Sequence, residues 1–334
     1  MKIDEFDYEL PATAIAQRPA EPRDSSRLLV ADEPLVDTSF AKLPDYLREG
    51  DLLVLNDTRV RAARLIGTRP GGGRVELLML RPHGPEWEAL ARPARKLRTG
   101  MQLHFEGVSA EVVGIAGAGR VRVRLNTTEP EATIAAAGSV PYPPYIIDGP
   151  ADSEKYQTVY ARTVGSAAAP TAGLHFTPEL LARIGARGVR LGTISLEIGL
   201  DTFRPITVET IDEHVMHTER FDIPEATAAA IAETRADGGR VVAVGTTSVR
   251  ALESAADQTG AVQPGRSATG LFITPGYRPV VVDALLTNFH MPRSSLVVMV
   301  AALLPAWRPA YEHAIEAGYR FLSFGDAMLI PQVR

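Results

Sequence analysis

Between residues 60 and 125 the chain is a succession of short alternating runs separated by glycine and proline. Runs of this length and spacing are typical of strands in a small barrel or sandwich. They cover residues 74–80, 87–91, 101–105, 110–115 and 120–125. The sequence therefore predicts a compact β-rich module in this part of the chain.

The sequence on both sides of this module alternates between helical and strand patterns. Helical patterns cover residues 178 to 185 or 188 and 224–236, and strand patterns cover 52–55, 189–196 and 240–244. Thr177 has the residue type of a helix N-cap, and Pro178 has that of the first helical position. We therefore predict an α/β main domain, residues 1–60 and 151–334, interrupted by an inserted small β-barrel domain, residues 61–150.

Composition excludes several kinds of chemistry. The chain contains no cysteine, which removes disulfides, thiolate metal sites and cysteine nucleophiles. Residues 1–10 carry four acidic side chains and lack the apolar core of a secretory signal. The longest apolar run, residues 296–304, is too short to span a membrane. We expect a cytoplasmic, monomeric protein without a membrane partner.

The charge of the chain is unevenly distributed. The formal net charge is −5, yet residues 59–124 contain 13 Arg or Lys and 5 Asp or Glu, a net +8. Within residues 120–125 every second residue is an arginine, which places three of them on one face of a strand. Such a segment either binds a polyanion or is a solvated arginine-rich surface. The candidate polyanion contacts are Arg59, Arg92, Arg95, Lys96, Arg98, Arg120, Arg122 and Arg124.

A turn rich in hydroxyl groups follows the last of the strand patterns. It contains Gly245, Thr246, Thr247 and Ser248, and the helix pattern that begins there carries Arg250. The free N–H groups and positive dipole end of a helix N-terminus attract a carboxylate or phosphate. Simple N-capping is the alternative, although three hydroxyl groups exceed the need of one cap. The Walker and G-x-S-x-G motifs are absent, so we expect neither nucleotide hydrolysis nor a serine hydrolase.

Five of the seven histidines lie outside the basic segment: His175, His214, His217, His290 and His313. The H-E-x-x-H pattern is absent and the chain has no thiolate, so we expect no metal at these residues. General acid–base catalysis and hydrogen bonding are the functional interpretations, and structural histidines are the alternative.

Two of these histidines lie in segments suited to a small-molecule pocket. A loop of small residues, which allows close approach to its backbone, contains Thr171, Gly173 and His175. A second segment contains Asn288, which can donate and accept hydrogen bonds, and His290, which can exchange a proton. We expect these two segments and the hydroxyl-rich turn to surround one pocket in the main domain.

The motifs around these residues resemble the S-adenosylmethionine:tRNA ribosyltransferase-isomerase family of queuosine biosynthesis, in order and over nearly the whole chain. The matching segments are residues 26–30, 55–60, 63–65, 143–146, 156–160, 169–176, 214–219, 244–250, 287–292 and 319–330. Each segment alone is a weak signal, but agreement of so many in the same order is not expected by chance. The resemblance implies an α/β domain interrupted by a β-barrel, in agreement with the residue patterns.

The resemblance also implies the reaction. The ribosyl part of S-adenosylmethionine, consumed as a substrate, would be transferred and isomerised onto the aminomethyl group of 7-aminomethyl-7-deazaguanine at the tRNA wobble position. Epoxyqueuosine would form with release of adenine and methionine, and no metal is expected. A donor of this kind need not occupy a Rossmann methyltransferase pocket, which fits the absence of G-x-G-x-x-G.

This reaction suggests a role for each candidate residue. A sulfonium acidifies the adjacent 5′ carbon, so the site needs a base, and the departing adenine needs an acid. The catalytic candidates are His175, His217, His290 and Glu219, with Glu219 also suited to contact the sulfonium or the ribose. The candidate donor contacts are Thr171, Gly173, Glu197, Gly245, Thr246, Thr247, Ser248, Arg250 and Asn288, among which the hydroxyl-rich turn and Arg250 would hold the methionine carboxylate.

Two positions depart from the family pattern. Glu197 and Asp201 stand where the family has a histidine and a glycine, and the segment at 303–308 is shortened. We expect Glu197 to face the active site, with an ion pair to Arg204 as the alternative. The departures leave two further hypotheses, namely the same donor chemistry on a non-tRNA acceptor, or a catalytically silent protein that binds tRNA or a nucleotide.

Overall fold

The computed structural model describes residues 1–199 and 205–333. The chain forms two compact units, one of Met1–Arg59 with Pro143–Arg334 and the other of Val60–Tyr142. The first unit contains a large mixed sheet with helices, and the second contains a closed barrel. The predicted fold class, an α/β domain interrupted by a small β-barrel, is confirmed.

The elements of the described residues follow one another in this order. The strands are β1 (Arg27–Val30), β2 (Val36–Ser39), β3 (Leu52–Asn56), β4 (Thr58–Val60), β5 (Arg64–Thr68), β6 (Arg74–His83), β7 (Glu86–Arg92), β8 (Gln102–Phe105), β9 (Val108–Gly117), β10 (Arg120–Leu125), β11 (Thr163–Ser166), β12 (Arg190–Leu196), β13 (Glu219–Ile223), β14 (Val241–Val244), β15 (Gly265–Thr269), β16 (Ala284–Asn288) and β17 (Ala327–Ile330). The α-helices are α1 (Pro130–Ala137), α2 (Pro178–Ala186), α3 (Glu225–Ala236), α4 (Thr246–Ala255), α5 (Ser295–Leu303) and α6 (Trp307–Glu316). Short 3-10 helices cover Ile3–Phe6, Ala12–Ala14, Arg23–Ser25, Phe40–Tyr46, Ala94–Lys96, Ser153–Tyr156, Thr171–His175 and Ile211–Glu213.

Parallel strands form the centre of the main sheet. Its order is β15-β13-β12-β3-β14-β16-β17-β1-β2, and β12, β3, β14 and β16 run parallel. All residues of β3 are buried, with Leu52 and Val54 in one core cluster and Leu53 and Leu55 in the other. Strands buried on both faces are apolar runs without alternation, as the sequence shows here. Because the carboxyl ends of parallel strands share one edge, the residues that follow β3, β14 and β16 are brought together.

Helix α2 illustrates how local sequence sets the ends of these elements. The hydroxyl of Thr177 accepts a hydrogen bond from the N–H of Leu180 at 3.1 Å, which satisfies one of the free N–H groups of the first turn. Leu180 and Ile184 are buried against the sheet. The helix therefore begins where its N-cap pattern predicts. No helix within residues 1–199 and 205–333 is long and apolar enough to cross a membrane.

The barrel of the second unit closes in the order β10-β7-β6-β5-β8-β9, and each neighbouring pair is antiparallel. In β10 the side chains of Val121, Val123 and Leu125 are buried, and the intervening arginines are not. The period of two in this strand thus separates an apolar interior from a charged exterior, as the sequence predicts.

Candidate active site

A cavity lies at the carboxyl ends of the central strands. Its lining comprises residues 169–172, 245–247, 287–291 and 322–323, together with Tyr145, Ile198, Ser294 and Leu296. The small-residue loop, the hydroxyl-rich turn and the segment containing Asn288 therefore meet around one cavity. An apolar wall with a few convergent polar groups is typical of a small-molecule site.

Helix α4 begins at this cavity. Gly245, which connects it to β14, has φ +85°, a left-handed conformation that favours glycine. The N–H of Ser248 donates to the carbonyl of Gly245 at 3.1 Å, whereas the N–H groups of Thr246 and Thr247 have no acceptor among the described residues. Two free N–H groups at the positive end of a ten-residue helix suit an anionic group. The Ser248 hydroxyl donates instead to the carbonyl of Val244 at 2.7 Å and does not line the cavity.

A buried amide fixes the position of this turn. Asn56, at the end of β3, donates from Nδ2 to the hydroxyl of Thr247 and to the carbonyl of Leu196, both at 3.3 Å. Its Oδ1 accepts from the N–H groups of Leu196 at 3.0 Å and Thr58 at 3.1 Å. Asn56 thereby links β3, β12 and the start of α4. This role was not assigned from the sequence.

Asn288 is held by three partners at the end of β16. Its Nδ2 donates to the carbonyl of Leu322 at 3.1 Å and lies 3.2 Å from Nε2 of His175. Its Oδ1 accepts from the hydroxyl of Thr171 at 3.3 Å. Nδ1 of His175 lies 2.8 Å from the hydroxyl of Ser26. His175 therefore reaches the cavity only through Asn288 and is not part of its lining.

His290 lines the cavity directly. Its Nε2 lies 2.8 Å from the hydroxyl of Thr287. Its backbone N–H donates to the Tyr311 hydroxyl at 3.1 Å, and its carbonyl accepts from the Tyr8 hydroxyl. Burial lowers the pKa of His290 to about 3, so the imidazole is neutral near pH 7. No described residue forms a hydrogen bond with its Nδ1, and a ligand can therefore use that atom.

Three of the predicted site residues form a separate cluster. Arg250 is buried, and its guanidinium is paired with Glu219 and also donates to the carbonyls of Leu271 at 3.0 Å and Thr269 at 3.4 Å. Nε2 of His217 lies 3.1 Å from Oε1 of Glu219. None of the three lines the cavity. A buried guanidinium with these partners has few donors left for the carboxylate of a ligand. The position of Arg250 therefore favours a structural role for the Arg250–Glu219 pair.

Glu197 has an exposed side chain, and it does not line the cavity, although the next residue, Ile198, does. Its backbone N–H donates to the carbonyl of Arg220 at 2.9 Å, which extends the pairing of β12 with β13. Its orientation towards substrate stays a prediction. Asp201 and Arg204, the other residues of that prediction, lie outside the described residues.

Gly173 lies where the small-residue loop packs against Tyr160. A Cβ at this position would overlap the Tyr160 hydroxyl and would come within 2.9 Å of Cγ2 of Thr158. The Tyr160 hydroxyl is buried and has no hydrogen-bond partner among the described residues. The glycine is therefore explained by close packing, whether or not it also contacts a ligand.

Replacement of Gly173 by alanine is expected to destabilise the protein by about 1–3 kcal/mol, because the added methyl overpacks a closed site. Tyr160→Phe removes the overlapping hydroxyl, so the double variant should recover part of the loss. Tyr160→Phe alone should be close to neutral, since it deletes an unpaired buried group. Urea unfolding of the four proteins measures the coupling, and purely additive effects would contradict the packing explanation.

The basic residues of the barrel unit fall into two groups. The strand group, Arg120, Arg122 and Arg124, is paired with Glu88, Glu86 and Glu111 at 2.8–3.8 Å. The turn group, Arg92, Arg95, Lys96 and Arg98, is exposed and makes no ion pair within the described residues. Arg59, in the other unit, is paired with Glu154. The turn group thus offers the strongest unneutralised positive charge among the predicted polyanion contacts.

Sequence reasoning missed several lining residues. Tyr145 and Ser323 line the cavity and are joined by a hydrogen bond of 2.7 Å between their hydroxyls. Both lie in segments that carry the family resemblance, but neither was given a role, because residues 178 positions apart offer no local signal of contact. Within the part of the chain that the structure describes, no three His, Asp or Glu side chains lie together as a metal site would require.

One unit of the chain has a cavity with an apolar wall and a few polar groups at the ends of parallel strands, and the other unit is a closed barrel. Together they define an α/β protein with an inserted β-barrel. Comparison with known proteins specifies it further. The family model "Queuosine biosynthesis protein" matches residues 3–330. The chain belongs to this queuosine biosynthesis family, and it is an enzyme of the transferase and isomerase class.

The individual relatives match over nearly the whole chain. A protein of Gloeobacter violaceus named S-adenosylmethionine:tRNA ribosyltransferase-isomerase is 53% identical, with 98% of this chain and 95% of the relative covered. A protein of the same name from Parvibaculum lavamentivorans is 50% identical, with 99% of each chain covered. The crystal structure of S-adenosylmethionine tRNA ribosyltransferase from Thermotoga maritima is 36% identical, with a TM-score of 0.56 and coverage of 98% of this chain and 99% of that one.

Proposed function

We propose that this enzyme transfers and isomerises the ribosyl part of S-adenosylmethionine onto the aminomethyl group of 7-aminomethyl-7-deazaguanine at the wobble position of tRNA. Epoxyqueuosine forms, and adenine and methionine are released. Relatives that are about half identical to the chain have names that give S-adenosylmethionine and tRNA, which supports these two substrates. The cavity that joins free helix N–H groups to a neutral histidine carries the proposal in this chain. The tRNA substrate places the activity in the cytoplasm, and the chain acts as a monomer without a metal.

The donor is held at two ends. Its methionine carboxylate binds the N–H groups of Thr246 and Thr247, where the dipole of α4 favours negative charge. The rest of the donor lies along the cavity towards Asn288 and His290. Arg250 supports this arrangement from the far side of α4 and does not bind the carboxylate itself, since its donors are occupied.

His290 is the proton-transfer group in this proposal. If its Nε2–H donates to Thr287, the lone pair of Nδ1 is free to accept a proton from the 5′ carbon that the sulfonium acidifies. The same nitrogen then returns the proton to the departing adenine. The neutral amine of the acceptor base forms the new bond to the ribosyl carbon and loses a proton. A ribosyl hydroxyl loses its proton as its oxygen displaces methionine, a neutral thioether, and closes the epoxide; both protons pass to water.

Release of adenine tests the proposal. With S-adenosylmethionine and a tRNA that carries the aminomethyl base, adenine and methionine should appear in equal amounts, together with modified tRNA. With unmodified tRNA or without tRNA, release should be absent. Release that depends on a small amine or a free nucleobase would favour a non-tRNA acceptor, and no release under any condition would favour a silent binding protein.

A further inference from the structure

We propose that Ser26 and His175 form a positioning relay that fixes the amide of Asn288, so that Asn288 offers the donor substrate a hydrogen-bond acceptor and no donor. The proposal rests on the proposed function only in the identity of the ligand. Asn288 lines the cavity, whereas Ser26 and His175 lie behind it.

The orientation of the amide follows from one carbonyl. The carbonyl of Leu322 can only accept, so the group that lies 3.1 Å from it must be the NH2 of Asn288. The other hydrogen of that NH2 is directed to Nε2 of His175 at 3.2 Å. Oδ1 then accepts from the Thr171 hydroxyl at 3.3 Å and keeps one lone pair. Both hydrogens are used, and only an acceptor remains.

The tautomer of His175 follows in turn. Because Nε2 accepts from Asn288, it carries no proton, and the neutral ring must be protonated at Nδ1. Nδ1–H then donates to the hydroxyl of Ser26 at 2.8 Å. A proton on Nε2 would face the NH2 of Asn288, donor against donor, and would favour reversal of the amide. The hydroxyl of Ser26 thus selects the tautomer that keeps Asn288 in place.

Burial increases the preference of His175 for the Nδ1–H tautomer. Ser26, His175 and Asn288 are each no more than 4% exposed, so water does not replace a lost partner. The ring of Phe40 stacks on His175 with centroids 4.8 Å apart and an interplanar angle of 27°, which fixes the plane of the imidazole. Burial also lowers the pKa of His175 to about 4, so the neutral ring that the relay requires predominates at physiological pH.

An acceptor at Asn288 decides which part of the donor lies there. A carboxylate is repelled by a carbonyl oxygen and is directed to the N–H groups of Thr246 and Thr247 at the start of α4. A hydroxyl of the ribose or the exocyclic amine of adenine can donate to Oδ1. The relay therefore orients S-adenosylmethionine in the cavity through an N–H or O–H group.

Histidine tautomers and donor affinity test the relay together. Long-range 15N–1H spectra of the 15N-histidine-labelled protein, with the His175 signals assigned from a His175→Gln variant, should show Nδ1–H in the native chain. Ser26→Ala should shift that pattern towards Nε2–H and weaken S-adenosylmethionine binding about tenfold or more. Ser26→Thr keeps the hydroxyl and should restore both. Asn288→Asp, which cannot donate to Leu322 or His175, should bind the donor at least as poorly as Ser26→Ala.

Analogues of the donor identify the group that is recognised. If a ribose hydroxyl donates to Asn288, a 2′-deoxy or 3′-deoxy analogue should lose affinity in the native protein and little in Asn288→Ala, which has no side-chain acceptor. If the adenine amine donates instead, an N6-dimethyl analogue should show that pattern. A native His175 protonated at Nε2, or Ser26→Ala with native donor affinity, overturns the relay. If the native protein does not bind S-adenosylmethionine, the proposed function is refuted. The tautomer measurement would still decide whether the relay exists.

Discussion

Replacing His290 by glutamine is expected to lower the rate of adenine release by about 10²-fold, the low end of the usual effect of losing a general acid–base group, because an imidazole whose pKa is about 3 is a weak base. The backbone N–H and carbonyl of His290 make the bonds to Tyr311 and Tyr8, and these bonds survive a side-chain change. Donor affinity should therefore change much less than turnover. Single-turnover assays with modified tRNA, beside direct measurement of S-adenosylmethionine binding, separate the two effects.

The pH dependence adds a second criterion. Burial holds the pKa of His290 at about 3, so its basic form is present throughout the range above pH 4. The rate should therefore show no decline near pH 6.5 that depends on His290. A fall in the rate of adenine release below about pH 6.5 that is present in the native protein and absent in His290→Gln would contradict the low pKa of His290.

His313→Gln is the matched control. His313 is partly exposed, and its Nε2 lies 2.8 Å from Asp37, in a part of the same unit that does not line the cavity. The same substitution there should leave adenine release near the native rate. Equal losses in the two variants would mean that His290 acts through stability and not through proton transfer.

The local elements of this fold could be predicted because their causes are local. Thr177 caps α2, and the unbroken apolar run of β14 is that of a strand buried on both faces. The convergence of the three cavity segments was also predicted. For the segments after β14 and β16 the reason is that turns after parallel strands meet at one edge of the sheet. The small-residue loop follows β11, which pairs with β4 in a separate two-stranded sheet, so its place depends on tertiary packing.

The partners of individual side chains could not be predicted, because they depend on long-range packing. Arg250 lies on the same short helix as Thr246, yet it faces away from the cavity and pairs with Glu219, 31 residues earlier. Ser26 lies 149 residues from His175, and nothing in either segment indicates their hydrogen bond. Residue type thus predicted which segments contain the site. The tertiary structure decides which of the candidate side chains are already bonded within the protein and which are free to contact a substrate.

The basic residues of the barrel also show that a local pattern does not predict the partners of its side chains. The alternating arginines of β10 were the most regular basic pattern in the sequence, but the register of β10 with β7 places Arg122 opposite Glu88 and Arg120 opposite Leu90. The arginine side chains then pair with Glu86, Glu88 and Glu111. An arginine already neutralised by a carboxylate releases fewer counterions when it meets a phosphate. The turn group therefore becomes the better candidate for contact with the tRNA backbone.

Replacing Arg92, Arg95, Lys96 and Arg98 together by alanine is expected to lower tRNA affinity by about two orders of magnitude at 0.15 M salt. Each phosphate contact contributes about 0.7 to 0.9 to the slope of log affinity against log salt, so the slope should flatten by about 3. Donor binding should be unchanged, because none of the four residues lines the cavity. Filter binding across a salt series measures both the affinity and the slope.

The strand group provides the control for this experiment. Replacing Arg120, Arg122 and Arg124 together by alanine removes three charges that are already paired, and it should flatten the slope by about 1 or less. A flattening equal to that of the turn group would mean that the carboxylates yield to the phosphates and that β10 lies in the interface. A native slope in the turn variant would remove the turn group from tRNA binding, because four exposed, unpaired cations cannot contact phosphates without releasing counterions.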